Sequence, residues 1–184
     1  MASPGVYEQL LGPAWTSVQP CVRDIHFAGL PLRLTGRFEF QATPSRFGRW
    51  ICALAGIPRE SATVVGEAMI DSDSGQECVA RSIGSWRFAS KQRAHHGLLV
   101  ERIGRLELSF SLATHDGGIL FSQVAAHLRF LGIRFRLPRI FAPMVIASER
   151  ENTDGRSAIV DVSLRVPVFG VLARYTGAVF RSPA

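Results

Sequence analysis

The segment LRLTGRFEFQ, residues 32–41, constrains the fold more than any other part of the chain. Leucine, glycine or phenylalanine occupies every second position, and polar or charged residues fill the positions between them. A strict period of two gives a β-strand one dry face and one wet face. The segment therefore predicts a strand in a sheet that is buried on one side.

Strand-like segments continue from residue 61 to the end of the chain, separated by turn residues at intervals of roughly ten residues. SDSGQ (72–76) and the Asp-Gly pair in THDGGI (114–119) are two such turns. Hairpins in series predict an antiparallel sheet, and about eight strands curl more readily than they stay flat. The expected fold is one mainly β (α+β) domain, residues 1–184, in which a curled antiparallel sheet of about eight strands forms a barrel or half-barrel.

Helices are expected only in the first third of the chain. VYEQLLG (6–12) and QPCVRDIHFAG (19–29) predict short helices, and SRFGRWICALAGIP (45–58) predicts a longer one with Ser45 as its N-cap. The apolar stripe of this longer helix comprises Phe47, Trp50, Ile51 and Leu54. One or two helices near the N-terminus are expected to cap the barrel.

The net charge of +6 does not predict nucleic-acid binding. Of the 21 basic residues all but Lys91 are arginine, and they are scattered along the chain. Nucleic-acid-binding proteins concentrate positive charge on one face or arm. An arginine bias of this kind is typical of coding composition, so no nucleic-acid partner is expected.

The three cysteines, Cys21, Cys52 and Cys78, are odd in number and widely spaced among apolar residues. This pattern favours reduced, packed thiols. The first residues lack a basic segment followed by an apolar run, and no apolar stretch approaches the roughly 20 residues that span a bilayer. A cytoplasmic protein without a membrane span is expected.

Residues 80–104 contain a tryptophan, several arginines and the pair His95–His96. Neighbouring residues of a strand point to opposite faces, so the two histidines do not share one metal there. No acidic residue or cysteine lies nearby at a familiar ligand spacing. Neither a metal site nor a cofactor is predicted.

Charged residues interrupt the apolar rows of two strands in the same region. Arg81 shares a face with Val79 and Ile83, and Glu101 shares one with Leu99 and Ile103. If the two strands pair around a loop near residue 91, Arg81 lies opposite Glu101. This ion pair either satisfies itself inside the barrel or orients a polar ligand group, with Glu101 as a candidate base.

Trp86, Phe88, Ser90 and Gln92 share one side if the strand continues past Gly84. Aromatic residues without a basic groove around them are typical of a core or cavity wall rather than of base stacking. Trp86, Phe88 and Gln92 are therefore candidate ligand contacts. His26, beside Asp24 and just before the first strand, is expected at a barrel mouth as a capping histidine or a proton carrier.

The face that carries His127 depends on the turn at Asp116. A two-residue loop pairs Gln123 with Phe110 and turns Phe121, Gln123 and His127 inward. A three-residue loop with a bulge turns the more apolar set inward, which comprises Leu120, Val124, Ala126, Leu128 and Phe130. The second arrangement is favoured, and it leaves His127 outside.

Several short motifs stand in a characteristic order along the chain. They are YEQLLG (7–12), VRDIHFAG (22–29), GRFEF (36–40), LAGIP (54–58), GLLVERIG (97–104), LGIRFRLPRIFAP (131–143) and GVLARYTG (170–177). Their order resembles the bacterial family known as domain of unknown function 4166, over residues 6–180. The residues that match its pattern are His26, Arg81, Ser90, Gln92, Glu101, Pro138 and Tyr175. The resemblance adds Tyr175 to the candidate ligand contacts. Relatives joined to a domain similar to saccharopine dehydrogenase imply a dehydrogenase-like protein as a candidate partner.

Three functions fit this sequence. The leading one is a domain that binds a hydrophobic or amphipathic small molecule in its interior. The second is a cofactor-independent isomerase, cyclase or hydro-lyase in the same cavity, with Glu101 or His26 as acid or base and Arg81 placing an oxyanion or carboxylate. The third is an interaction module for the dehydrogenase-like partner. A homodimer is a further possible assembly of this chain.

Overall fold

The computed structural model describes residues 5–26, 31–54, 56–73 and 76–182. The helices are α1 (Val6–Leu11), a 3-10 helix (Gly12–Ser17), α2 (Pro20–Asp24) and α3 (Arg46–Leu54). The strands are β1 (Leu32–Ala42), β2 (Ala62–Asp73), β3 (Gln76–Ile83), β4 (Trp86–His95), β5 (Leu98–Ile103), β6 (Leu106–His115), β7 (Gly118–Phe130), β8 (Ile133–Arg136), β9 (Met144–Glu151), β10 (Ala158–Val166) and β11 (Gly170–Arg181). The fold is mainly β, as expected, but these strands outnumber the eight that the sequence predicts.

Ten strands close into an antiparallel barrel. Their order around the wall is β6-β5-β4-β3-β2-β1-β11-β10-β9-β7, and β6 pairs with β7 to complete the ring. β8 pairs only with the C-terminal half of β7 and extends the wall at one end. These pairings are all antiparallel, and most of the strands that follow one another in sequence are joined by tight hairpins.

β1 confirms the predicted alternation. Leu32, Leu34, Phe38 and Phe40 point into the barrel and are buried, whereas Arg33, Arg37, Glu39 and Gln41 are exposed. The inward rows of the neighbouring strands continue this surface around the ring because directly paired residues share a face. The core of the protein is therefore the inside of the barrel.

Two strands were not expected as such. The interval treated as a loop near residue 91 is strand β4, and the segment after Leu131 contains the short strand β8. The inward face of β4 includes Ser90 and Gln92, so it does not read as an apolar row. β8 is four residues long and exposed throughout. The predicted turn at 72–76 includes residues 74 and 75, which lie outside the described residues.

The N-terminal segment, residues 5–26, covers one end of the barrel. Its buried side chains include Tyr7, Trp15, Val18, Val22 and Ile25, and they pack into the common core. The Gln19 amide donates a hydrogen bond to the Gly117 carbonyl, which ties the segment to the β6–β7 turn. The opposite end, where β1 leads into α3 and β7 leads into β8, is the mouth of the barrel.

α3 presents a different face to the barrel than its apolar stripe predicts. Gly48 and Cys52 are buried, whereas Phe47 and Trp50 are 54% and 55% exposed. The predicted N-cap is present, since the Ser45 hydroxyl accepts a hydrogen bond from the Gly48 amide. The helix packs its small residues inward and leaves two aromatic rings on the surface.

The β6–β7 hairpin combines both arrangements considered for His127. Its loop has two residues, Asp116 and Gly117, both with positive φ, so Phe121 and Gln123 are inward as a two-residue loop requires. A bulge then shifts the register, and Ala125 rather than Val124 pairs with Ser109. Beyond the bulge Ala126 is inward and His127 is outside. The expected three-residue loop is wrong, and Leu120 and Val124 are 38% and 53% exposed.

Candidate functional site

The interior of the barrel contains a cavity of about 370 Å³. Its walls are mostly aliphatic and aromatic side chains, among them Trp86, Phe88, Leu99, Leu108, Phe110, Phe121, Val162, Leu164 and Ala173. Gly56, Ile57 and Pro143 border it on the mouth side. The volume lies within the usual range for small-molecule pockets.

Arg81 and Glu101 form an ion pair on the polar side of this cavity. Arg81 Nη1 lies 2.9 Å from Glu101 Oε1 and also donates to the Ser90 hydroxyl at 2.7 Å. The sequence predicts that the two residues lie on neighbouring strands, but β4 lies between β3 and β5. Arg81 reaches across β4 over Ser90, so the predicted contact is present although the predicted strand pairing is wrong.

Gln92 and Tyr7 extend the polar cluster towards the N-terminal helices. Gln92 Nε2 donates to Glu101 Oε1 at 3.1 Å, and the Tyr7 hydroxyl donates to Gln92 Oε1, also at 3.1 Å. Among the described residues, no buried side-chain nitrogen or oxygen lacks a hydrogen-bond partner. The cluster is therefore a connected network of the kind that holds its members in one arrangement.

His26 and Glu149 form a second buried pair behind Tyr7. His26 Nε2 contacts Glu149 Oε2, and the His26 ring stacks on Tyr7 with centroids 3.8 Å apart. His26 borders a smaller cavity of about 100 Å³ that also touches Glu77, Arg81 and Gln92. Glu149 and Tyr7 line both cavities, so they separate His26 from the larger one.

The electrostatics give the acidic residues different roles. Burial alone would raise the pKa of Glu101, but Arg81 and the hydrogen bonds from Ser90 and Gln92 lower the pKa below its ordinary value. Burial also tends to lower the pKa of Arg81, and Glu101 raises it instead. Glu101 is thus held as an anion, which suits a counter-ion better than a base that must take up a proton near pH 7.

Burial raises the pKa of two tyrosines and of one further carboxyl group in the interior. It raises the pKa of Tyr175 to about 12 and that of Tyr7 well above its ordinary range. It also raises the pKa of Glu77, whose Oε1 accepts a hydrogen bond from the Val6 amide. Both phenols therefore stay neutral near pH 7 and present hydroxyl groups to the interior.

The candidate ligand contacts meet in one place. Arg81, Trp86, Phe88, Gln92 and Tyr175 all line the larger cavity together with Glu101. The Trp86 and Phe88 rings lie 4.5 Å apart, and the Arg81 guanidinium lies over Phe88 at 5.6 Å. His26 lies at the covered end of the barrel and lines only the smaller of these two cavities.

Sequence reasoning missed Tyr7, Glu77 and Glu149. Glu149 follows Val145 and Ala147 at every second position of β9, so it is a carboxylate in an inward row like Glu101. The same criterion would have found it. The position of Tyr7 depends on how the N-terminal helices cover the barrel end, which no local pattern predicts.

The described residues include no group of three or more His, Cys, Asp or Glu side chains that could hold a metal ion. His95 ends β4 and His96 occupies the tight turn that follows, with ring centroids 4.0 Å apart. In the described part of the chain, the cysteines Cys21, Cys52 and Cys78 are free thiols. No helix in the described part of the chain is long and apolar enough to cross a membrane.

The fold and interior define a closed antiparallel barrel with a cavity beside one polar cluster. The chain belongs to the family described as a domain of unknown function (DUF4166), which matches residues 18–179. A crystal structure of a protein of unknown function from the DUF3598 family of Nostoc punctiforme has a similar fold, with a TM-score of 0.53 at 10% identity. The similarity covers 83% of this chain and 48% of that protein, so the chain spans about half of its length. No curated protein matches the chain.

Proposed function

We propose that the barrel binds one amphipathic small molecule in its interior. The observation that carries this proposal is the cavity of about 370 Å³ with apolar walls and one polar side. An interior filled by its own side chains would leave no room for a ligand, whereas this one has space next to oriented donors. The free cysteines favour a reducing compartment, and we place the protein in the cytoplasm.

The polar end of the ligand is a neutral hydrogen-bond acceptor such as a carbonyl or hydroxyl group. Arg81 has five N–H donors, and Nη1 alone makes both of its bonds to Glu101 and Ser90. Its charge is offset by Glu101, and Glu149 is a further carboxyl group on the cavity wall. An additional anion in this cavity would find no uncompensated positive charge.

Binding of two related fluorescent probes tests this proposal. The neutral N-phenyl-1-naphthylamine should bind with one site per chain, and its sulfonated analogue 8-anilinonaphthalene-1-sulfonate should bind more weakly. Ala147→Phe places a ring in the cavity and should abolish binding of the neutral probe, whereas Ala113→Phe on the exposed outer face should not. Equal binding by both variants would refute the interior site.

A second candidate function is acid–base catalysis on the bound molecule. The contact between His26 and Glu149 favours it, because Glu149 lines both cavities and can pass a proton between His26 and a molecule in the larger cavity. The paired, anionic Glu101 is the weaker of the two candidate bases. Once a bound molecule is identified, its conversion by the wild-type protein and by His26→Gln would test this function. Conversion that His26→Gln leaves unchanged would remove His26 from the mechanism.

A further inference from the structure

The net positive charge of the protein lies at the mouth of the barrel. Five connecting segments form this end, and their described residues are 44–54 with 56–61, 84–87, 104–107, 128–144 and 165–170. They contain ten arginines and two glutamates, a net charge of +8, whereas the remaining 11 basic and 13 acidic residues sum to −2. The fold therefore gathers half of the arginines, which look scattered in the sequence, at one end of the barrel.

One of the two glutamates at the mouth pairs with two of its arginines. Glu107 is buried, 3.3 Å from Arg129 Nη1 and 2.7 Å from Arg134 Nε. The other is the exposed Glu60. The arginines at this end are mostly exposed, including Arg136 and Arg139. An anionic surface would be attracted to this end of the barrel and not to the opposite one.

The β7–β8 hairpin adds an apolar face to the same end. Leu128 pairs with Phe135 and Phe130 pairs with Ile133, so these four side chains share one face. They are between 39% and 57% exposed, and they continue the inward row of Ala126 beyond the rim. The opposite face carries His127, Arg129, Arg134 and Arg136. Leu131 at the tip is 86% exposed.

Other apolar side chains at the mouth are exposed in the same way. Phe47 and Trp50 of α3 stack with centroids 5.7 Å apart, and Phe47 also meets Phe169 of the β10–β11 turn. Ile140 and Phe141, in the loop between β8 and β9, are 54% and 55% exposed. Exposed aromatic and aliphatic groups interleaved with arginines are the composition that membrane interfaces select.

We propose that the mouth is a docking surface for an anionic lipid bilayer. The arginines attract anionic headgroups, and Leu131, Trp50 and Phe141 enter the boundary between headgroups and acyl chains. A bilayer accommodates separate elements such as α3 and the hairpin without a specific shape, which a protein partner would have to match. The barrel would then open towards the membrane. This inference does not depend on the interior ligand.

Co-sedimentation with vesicles tests the inference. Vesicles of phosphatidylcholine with 30% phosphatidylglycerol should bind the protein, and pure phosphatidylcholine should bind it much less. Leu131→Asn keeps the charge and tolerates the positive φ of this tip, and it should weaken binding about tenfold. Arg136→Gln with Arg139→Gln should weaken it by more, since each surface cation contributes about fivefold.

Two matched variants control for nonspecific effects. Met69→Asn removes an apolar side chain that is 55% exposed on the barrel wall, and Arg37→Gln with Lys91→Gln removes two exposed charges outside the mouth. Both should leave binding within about twofold of the wild type. Absence of binding to the anionic vesicles, or equal binding by Leu131→Asn, would overturn the proposal. A dimer in solution that Leu131→Asn dissociates, without vesicle binding, would also overturn it and assign the mouth to a second copy.

Discussion

Replacing Glu101 by glutamine removes the counter-charge of Arg81 and keeps the size of the side chain. The two charged groups are 2.9 Å apart, and their side chains are 24% and 14% exposed. Breaking a buried ion pair from one side costs about 3–5 kcal/mol because an uncompensated charge stays behind. The neighbouring cavity and the remaining bond to Ser90 favour the lower end, so we expect a loss of about 3 kcal/mol in the free energy of unfolding.

Urea denaturation measures this loss directly. In thermal denaturation, a loss of about 3 kcal/mol lowers the Tm of a chain of this size by roughly 6–12 °C. Glu67→Gln is the matched control, since its pair with Arg33 spans 3.4 Å with side chains 49% and 57% exposed and should be worth less than about 1 kcal/mol. If the two variants lose the same stability, the Arg81–Glu101 pair does not behave as a buried ion pair and the reasoning is wrong.

Three further predictions concern stability. The pKa of Glu101 is lowered on folding, so the stability that its ionised form contributes is complete above the unfolded-state pKa of about 4.3. That stability is lost as the pH falls through the folded-state pKa. In urea titrations, the cost of Glu101→Gln should therefore be smaller at pH 3 than at pH 7. Burial raises the pKa of Glu77, so ionisation of this carboxyl group destabilises the fold above its unfolded-state pKa of about 4.3. Glu77→Gln should therefore increase stability at pH 7 and have no such effect below about pH 4.3. Equal effects at both pH values would contradict this. Gly66→Ala places a Cβ against the Phe38 ring, which must move, so thermal denaturation should show a cost of about 1–3 kcal/mol. A cost near zero would mean that the ring shifts freely.

The alternation of side chains along strands carried most of the successful prediction. It identified the inward row of β1 and the charged residues Arg81 and Glu101 within inward rows. Parity depends on local chemistry and survives errors in strand pairing. The sequence predicts the ion pair from a direct pairing of these two strands, which is wrong; the contact forms because both side chains are inward and Arg81 reaches across β4.

The features that were missed depend on tertiary contacts. The bulge beside Val124 changes the inward face of β7 in mid-strand, and it is determined by pairing with β6 rather than by the sequence of the hairpin. The contact between His26 and Glu149 joins residues 123 positions apart. α3 buries Cys52 rather than Trp50 because its small residues pack against the barrel.

Native mass spectrometry of the protein purified from its own host tests the central claim most directly. We expect one small molecule per chain, released on denaturation, present in Ala113→Phe and absent from the cavity-filling variant Ala147→Phe. An empty wild-type protein, or a passenger that Ala147→Phe retains, would contradict an interior binding site.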